Sequence, residues 1–317
     1  MNRRNFISRT TAAIGAASIA PYSVVGKGFF PSNDTSTTMS EEKDSTMKEV
    51  KIALIQMQVI FNEPETNLVK AENLMNGITE DFDIAVLPEC FDLGWANPNA
   101  KELALPIPGM LTERLGTIAK SKNIHIVAGI TENDNGKIRN TAVLIDSNGD
   151  LLGKHSKINI LTDVESMYSV GTSLSVFDTK FGKIGIPICA DNFLDSIALA
   201  ESLARMGCDL ILSPCSWAVR RSFIERNEVY GETWTTPYKA IASAYKIPVV
   251  GCSNVGRVTH GVWTGWSCIG NSIAVTADGD GIVLPFGEDA EYCQVVDLKL
   301  YDRPALGTSL HSMVKVK

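Results

Sequence analysis

From residue 51 onward, continuous apolar runs alternate with apolar stripes of helical spacing. Residues 51–59 read as a strand that becomes strictly alternating toward its end. Asn62 is placed to cap a helix, with Glu65 three residues on completing a capping box. Leu68, Ala71, Leu74, Met75 and Ile78 recur at spacings of three and four, which sets them on one helical face. Residues 84–87 form a short unbroken apolar run, the pattern of a strand covered on both faces. A helix over 112–122 leads into a strand over 124–130. A further strand, 141–145, ends in a turn over 146–149, and residues 174–177 and 184–188 form a hairpin around a turn at 180–183. A helix over 195–206 carries Ile197, Leu199, Leu203 and Ala204. A strand at 209–212, a helix around 237–245, a strand at 248–251 and a hairpin over 272–283 complete the series. Strands alternating with helices, together with antiparallel pairs, predict a mixed α/β sheet, in one domain over residues 49–317.

The first 48 residues follow a different pattern. Arg3 and Arg4 precede the apolar pair Phe6-Ile7, and residues 10–20 are small and weakly apolar, with no acidic residue before Asp34. A charged segment, a weak apolar segment and small residues at Ser18 to Ala20 resemble a twin-arginine signal peptide over residues 1–26. The expectation is export through the twin-arginine translocon to the periplasm. Residues 27–48, rich in Ser, Thr, Asp and Glu, read as a flexible linker.

Composition narrows the class. The chain has 317 residues, 44% hydrophobic and 21% charged, enough to bury a sizeable core. A net charge of -7 without a basic stripe argues against a nucleic-acid partner. Seven cysteines without C-x-x-C pairs suggest thiols in buried strands rather than a disulfide framework. Four scattered histidines with no ligand spacing give no sign of a metal.

Three short segments could carry chemistry. A buried strand runs through Ile188 into Cys189, with Asp191, Asn192 and Asp195 as candidate caps of a helix beginning just beyond. A thiol at a strand-to-helix turn sits where α/β sheets bind ligands, and a helix N-terminus would lower its pKa. The apolar strand ending in Leu87-Pro88 presents Glu89 at its C-terminal end, where a carboxylate can serve as general base. Lys157 lies in a loop-like stretch over 153–160, where an ammonium fixed in a low-dielectric pocket would stabilise an oxyanion.

The order and neighbours of these segments resemble the three catalytic segments of the nitrilase superfamily, with Leu87-Pro88-Glu89, the stretch 153–157 and Ile188-Cys189-Ala190-Asp191 in its Glu–Lys–Cys order. The stretches 203–214 and 253–256 resemble its supporting segments, so the likeness spans nearly the whole chain after Lys51. The resemblance implies a four-layer α-β-β-α sandwich, assembly as a homodimer or higher homo-oligomer, and no cofactor. It implies Cys189 as nucleophile, Glu89 as base, Lys157 as oxyanion stabiliser aided by the Ala190 N–H, and Glu165 as a supporting glutamate. Strict nitrilases carry Trp-Glu after the cysteine; Ala190-Asp191 lies closer to the amidase-like branches. The expected substrate is therefore a small linear amide or carbamoyl compound, releasing ammonia or an amine, with nitrile hydrolysis as the alternative. A Cys–His hydrolase using His155 or His260 would leave Glu89 and Lys157 without a role, and a catalytically silent binding module would have no reason to keep all three.

Past the strand ending at Pro214, the chain places Trp217, Arg220 and Arg221 near the expected pocket mouth. Two guanidinium groups there suit a substrate that also bears a carboxylate, unless they are solvated or pair with Glu225 and Glu228.

Overall fold

The computed structural model describes residues 48–225 and 231–302. The proposed signal peptide, all of the linker but Lys48, Glu228 and residues 303–317 lie outside the described residues. Among those described, no helix is long and apolar enough to cross a membrane.

The described residues form fifteen strands and six helices. The first half of the chain supplies β1 (Lys48–Gln56), α1 (Pro64–Gly77), β2 (Ile84–Val86), α2 (Ala100–Leu103) and α3 (Met110–Lys122). Next come β3 (His125–Asp134), β4 (Lys137–Ile145), β5 (Leu151–Ser156), β6 (Val176–Thr179) and β7 (Gly182–Gly185). The second half supplies α4 (Ile197–Arg205), β8 (Leu210–Cys215), β9 (Ala218–Val219), α5 (Arg221–Glu225) and α6 (Glu232–Tyr245). It closes with β10 (Val249–Ser253), β11 (Val255–Arg257), β12 (Ser267–Ile269), β13 (Ile273–Val275), β14 (Gly281–Val283) and β15 (Tyr292–Leu300).

Two six-stranded mixed sheets result, ordered β15-β1-β2-β3-β4-β5 and β14-β13-β10-β8-β7-β6, with a small third sheet β11-β12-β9. Strand alternation decides how they stack. Along β1, Ile52 and Leu54 point into a core shared with Ile184, Leu210, Leu212 and Val249 of the second sheet. Ala53 and Ile55 point the other way, onto Leu68, Ala71 and Met75 of α1 and Leu115 and Ala119 of α3. The second sheet's outer face is covered by Leu203 of α4 and Ile241 of α6. The period-two pattern of one strand thus builds both cores of a four-layer α-β-β-α sandwich.

Several local details differ from the sequence reading. Asn62 does not cap α1: it sits at φ 63°, and its side chain accepts from Asn97 instead. The helix opens at Pro64, whose fixed φ suits the first helical position, with Glu63 before it. The strand expected over 184–188 pairs only as far as Gly185; Pro187 has no N–H for the ladder. Residues 153–160 are not all loop: β5 pairs antiparallel with β4, so Lys157 directly follows a strand. The helix expected around 237–245 begins at Glu232 and contains Pro237, tolerated on a helix anchored by buried Trp234, Tyr238 and Ile241.

Candidate functional site

Both chemistry-bearing turns converge on the C-terminal end of β8. The backbone N–H of Glu89 donates to the Cys215 carbonyl at 3.2 Å. That of Cys189 donates to Ser213 Oγ at 3.1 Å. One central strand therefore fixes a carboxylate from the first sheet and a thiol from the second. The approach at Glu89 is close: a Cβ on Gly129 of β3 would fall 2.5 Å from Glu89 Cα. Both turns also strain the backbone, with Cys90 at φ 48° and Cys189 at φ 42°. Such non-glycine left-handed residues cost on the order of 1–3 kcal/mol and cluster at functional sites.

Glu89, Lys157 and Glu165 meet inside the protein, all fully buried. Lys157 Nζ donates to Glu89 Oε1 at 2.8 Å and to Glu165 Oε1 at 2.6 Å. Two carboxylates thus share one ammonium. Asn140 Nδ2 adds a bond to Glu89 Oε1 at 2.6 Å, and Trp95 Nε1 one to Glu165 Oε1 at 2.7 Å. The Leu161 N–H donates to the other Glu165 oxygen at 2.8 Å. Glu89 Oε2 is left buried with no partner among the described residues, an acceptor free to receive a proton.

Charges follow from this packing. Burial pushes the Glu89 carboxyl up to about 7; Lys157 opposes the rise and Glu165 adds to it. Lys157 is held well above the usual ammonium range: burial disfavours its charge, but Glu165 and Glu89 outweigh that. The sequence reading expected a depressed Cys189 thiol, and the structure corrects this. Burial, the adjoining Cys215 thiol and Glu89 all raise it, with Lys157 only partly opposing. Cys189 opens a short 3₁₀ turn, Cys189–Asn192, rather than standing at an α-helix N-terminus. This packing favours the neutral thiol.

Cys189 opens onto a cavity of about 300 Å³. One wall is Trp95 and Trp263, packed edge-to-face at 5.2 Å. Another is Phe193 and Trp234, with ring centres 4.8 Å apart. Trp217 does not line this cavity. It is fully buried and stacks flat behind Trp234 at 4.3 Å. Neither Arg220 nor Arg221 is among the lining residues: Arg220 lies over the Trp266 ring at 5.2 Å, and Arg221 begins α5. Ala190 is fully buried directly after the thiol, and its carbonyl accepts from Asn159 Nδ2 at 2.8 Å and Ser196 Oγ at 2.5 Å.

The profile of the carbon-nitrogen hydrolase family matches residues 51–303. The chain belongs to this family. Mouse omega-amidase NIT2 is 35% identical over 179 residues, covering 53% of this chain and 64% of the mouse protein, just under two thirds of its length. Yeast Nit3, of branch 10 of the nitrilase superfamily, superposes with a TM-score of 0.66 at 23% identity, over 79% of this chain and 90% of its own. An amidase from Nesterenkonia sp. AN1 gives 0.64 at 19% identity, over 78% and 90%; in that structure the active-site cysteine of a mutant carries the acetamide moiety of fluoroacetamide. Both solved structures share the sandwich with this member of the family.

Sequence reasoning did not single out Asn140, Trp95, Trp234 or Trp263. Asn140 carried a usable signal, as a polar residue at the head of the apolar run 141–145. The three tryptophans lie on separate loops and a helix, and nothing in their spacing brings them together.

Proposed function

We propose that this chain hydrolyses the C–N bond of a small linear carboxamide through a thioester on Cys189. The reading rests above all on Glu89 Oε2, an unpartnered buried oxygen on a carboxylate held by Lys157, beside a thiol that burial keeps neutral. Glu89 takes the Cys189 proton as sulfur attacks the carbonyl carbon. The developing oxyanion is stabilised by the Lys157 ammonium and the Ala190 N–H. As the tetrahedral species collapses, Glu89 returns the proton to the departing nitrogen, and ammonia or an amine leaves. Water then attacks the thioester while Glu89 accepts its proton. Collapse releases the carboxylic acid and restores the thiol.

Glu165 gives the Lys157 ammonium a second fixed partner. The omega-amidase relative and the covalent adduct on the related amidase cysteine favour an amide over a nitrile. The test is ammonia release from linear amides, carbamoyl amines and nitriles by the purified protein, with Cys189→Ala alongside. Amides should be turned over by the wild type only. Turnover of nitriles alone, or activity retained in Cys189→Ala, would refute the proposal.

A further inference from the structure

We infer that the cavity beside Cys189 is built for a substrate whose far end is an organic cation, a short aliphatic chain ending in an ammonium, and that Asp163 selects it. This rests on the amide-hydrolase reading of the site.

The chemistry of the walls carries the inference. Apolar contact comes from Trp95, Trp263, Phe193 and Trp234, and the faces of tryptophan rings attract cations through their quadrupoles. Among the described residues, the lining includes one side chain with a full charge, and it is the exposed Asp163. The remaining polar lining comes from Ser216 and Thr233, hydroxyls that can accept from an ammonium. Away from the lining, Glu89 and Glu165 set two carboxylates against the single ammonium of Lys157. A ligand carboxylate at the lining would meet Asp163 as a like charge, whereas an ammonium would meet indole rings and Asp163 as an opposite one. The guanidinium of Arg220, which the sequence suggested as a carboxylate partner, rests on Trp266, whose ring stacks at 3.8 Å on Trp263 of the lining. It therefore stands a ring away from the lining. A volume of about 300 Å³ is at the small end for ligand pockets and fits a short linear chain.

Three amides of equal chain length separate the possibilities: 5-aminopentanamide, hexanamide and the monoamide of adipic acid. Their affinities for the full-length Cys189→Ala protein are read by calorimetry, and wild-type turnover by ammonia release. The cationic amide should bind about tenfold tighter than hexanamide, with the carboxylated amide weakest. Adding Asp163→Asn should shrink the preference for the cation over hexanamide, and adding Asp163→Lys should reverse the order of cation and carboxylate. If the carboxylated amide binds Cys189→Ala as tightly as the cationic one, the inference is overturned, and Arg220→Ala would then identify the carboxylate partner. An order that survives Asp163→Lys also overturns it. Wild-type protein that binds in the expected order but hydrolyses none of the three would refute the hydrolytic reading alone.

Discussion

Asp191 Oδ2 lies 2.9 Å from His155 Nε2, tying the residue two beyond the thiol to the residue two before the lysine. The same carboxylate accepts from the backbone N–H groups of Ile158 at 3.0 Å, Asn159 at 2.7 Å and Ile188 at 3.0 Å. The Cys189 turn and the Lys157 loop are thereby one hydrogen-bonded unit. Burial would raise the Asp191 carboxyl, yet His155 and these N–H groups hold it below the usual range. Asp191→Asn keeps one acceptor oxygen but loses the charge and part of this set. The expected result is a drop in kcat on the order of 10²-fold from displaced catalytic groups, with KM little changed. Steady-state kinetics on an amide substrate checks this, and an unaltered kcat would mean that the link does not position the site.

Glu89→Gln and Lys157→Met test separately the proposed base and the proposed oxyanion stabiliser. Each should lose about 10²–10⁴ in kcat. The double variant should lose less than the product of the two, because the residues act as a pair. Lys157→Met also leaves Glu89 and Glu165 facing each other without a cation, so its melting temperature should fall further than that of Glu89→Gln. Equal melting temperatures would show that the ammonium does not balance the buried carboxylates.

The proton state of Glu89 gives two pH dependences of opposite sense. As a base it acts only when deprotonated, so kcat/KM should rise with pH through a midpoint of about 7 and then level. Stability runs the other way. Asp92, buried and accepting from the Thr131 N–H, is also pushed up to about 7, chiefly by burial. A carboxyl whose folded pKa exceeds its ordinary value (4.5 for Glu89, 3.8 for Asp92) favours the fold while protonated. That contribution is complete below the ordinary value and is lost as pH rises through about 7. The melting temperature should therefore decline across this window, and Asp92→Asn should remove part of the decline. A flat kcat/KM profile between about pH 5 and 8 would contradict the assignment of Glu89 as base.

The legible parts of this protein were those set by local periodicity. Leu68, Ala71 and Met75 announced the buried face of α1, and the apolar run at 84–87 announced β2, because a helix or strand with a covered face must repeat at its own period. Glu89, Lys157 and Cys189 were singled out by their neighbours in sequence, and the structure brings Glu89 and Lys157 to 2.8 Å and hangs the Glu89 and Cys189 turns on one strand, β8. What was not legible depended on non-local packing or on single backbone exceptions. Asn62 looked like a cap, but Pro64 set the start of the helix and freed Asn62 for a turn. Pro187 truncated a strand whose composition continued to Ile188. The raised thiol of Cys189 follows from burial by both sheets, which no four-residue motif encodes.

Trp217 supplies the last test, because sequence and structure assign it different jobs. The sequence placed it at the pocket mouth as a substrate contact. In the fold it is fully buried, flat against Trp234 at 4.3 Å and edge-on to Tyr238 at 6.3 Å. Its work is then indirect: it backs the ring that forms the cavity wall. Trp217→Ala should cost about 3–5 kcal/mol of stability, the usual range for emptying a buried aromatic site, and should raise KM because Trp234 loses its support. Trp217→Phe keeps an aromatic face against Trp234 and should recover most of both. A ring touching substrate directly would behave otherwise, with KM rising in Trp217→Ala while stability stayed close to wild type. Thermal melts and kinetics on the same two variants distinguish the cases, and a KM effect without a stability effect would return Trp217 to the cavity wall.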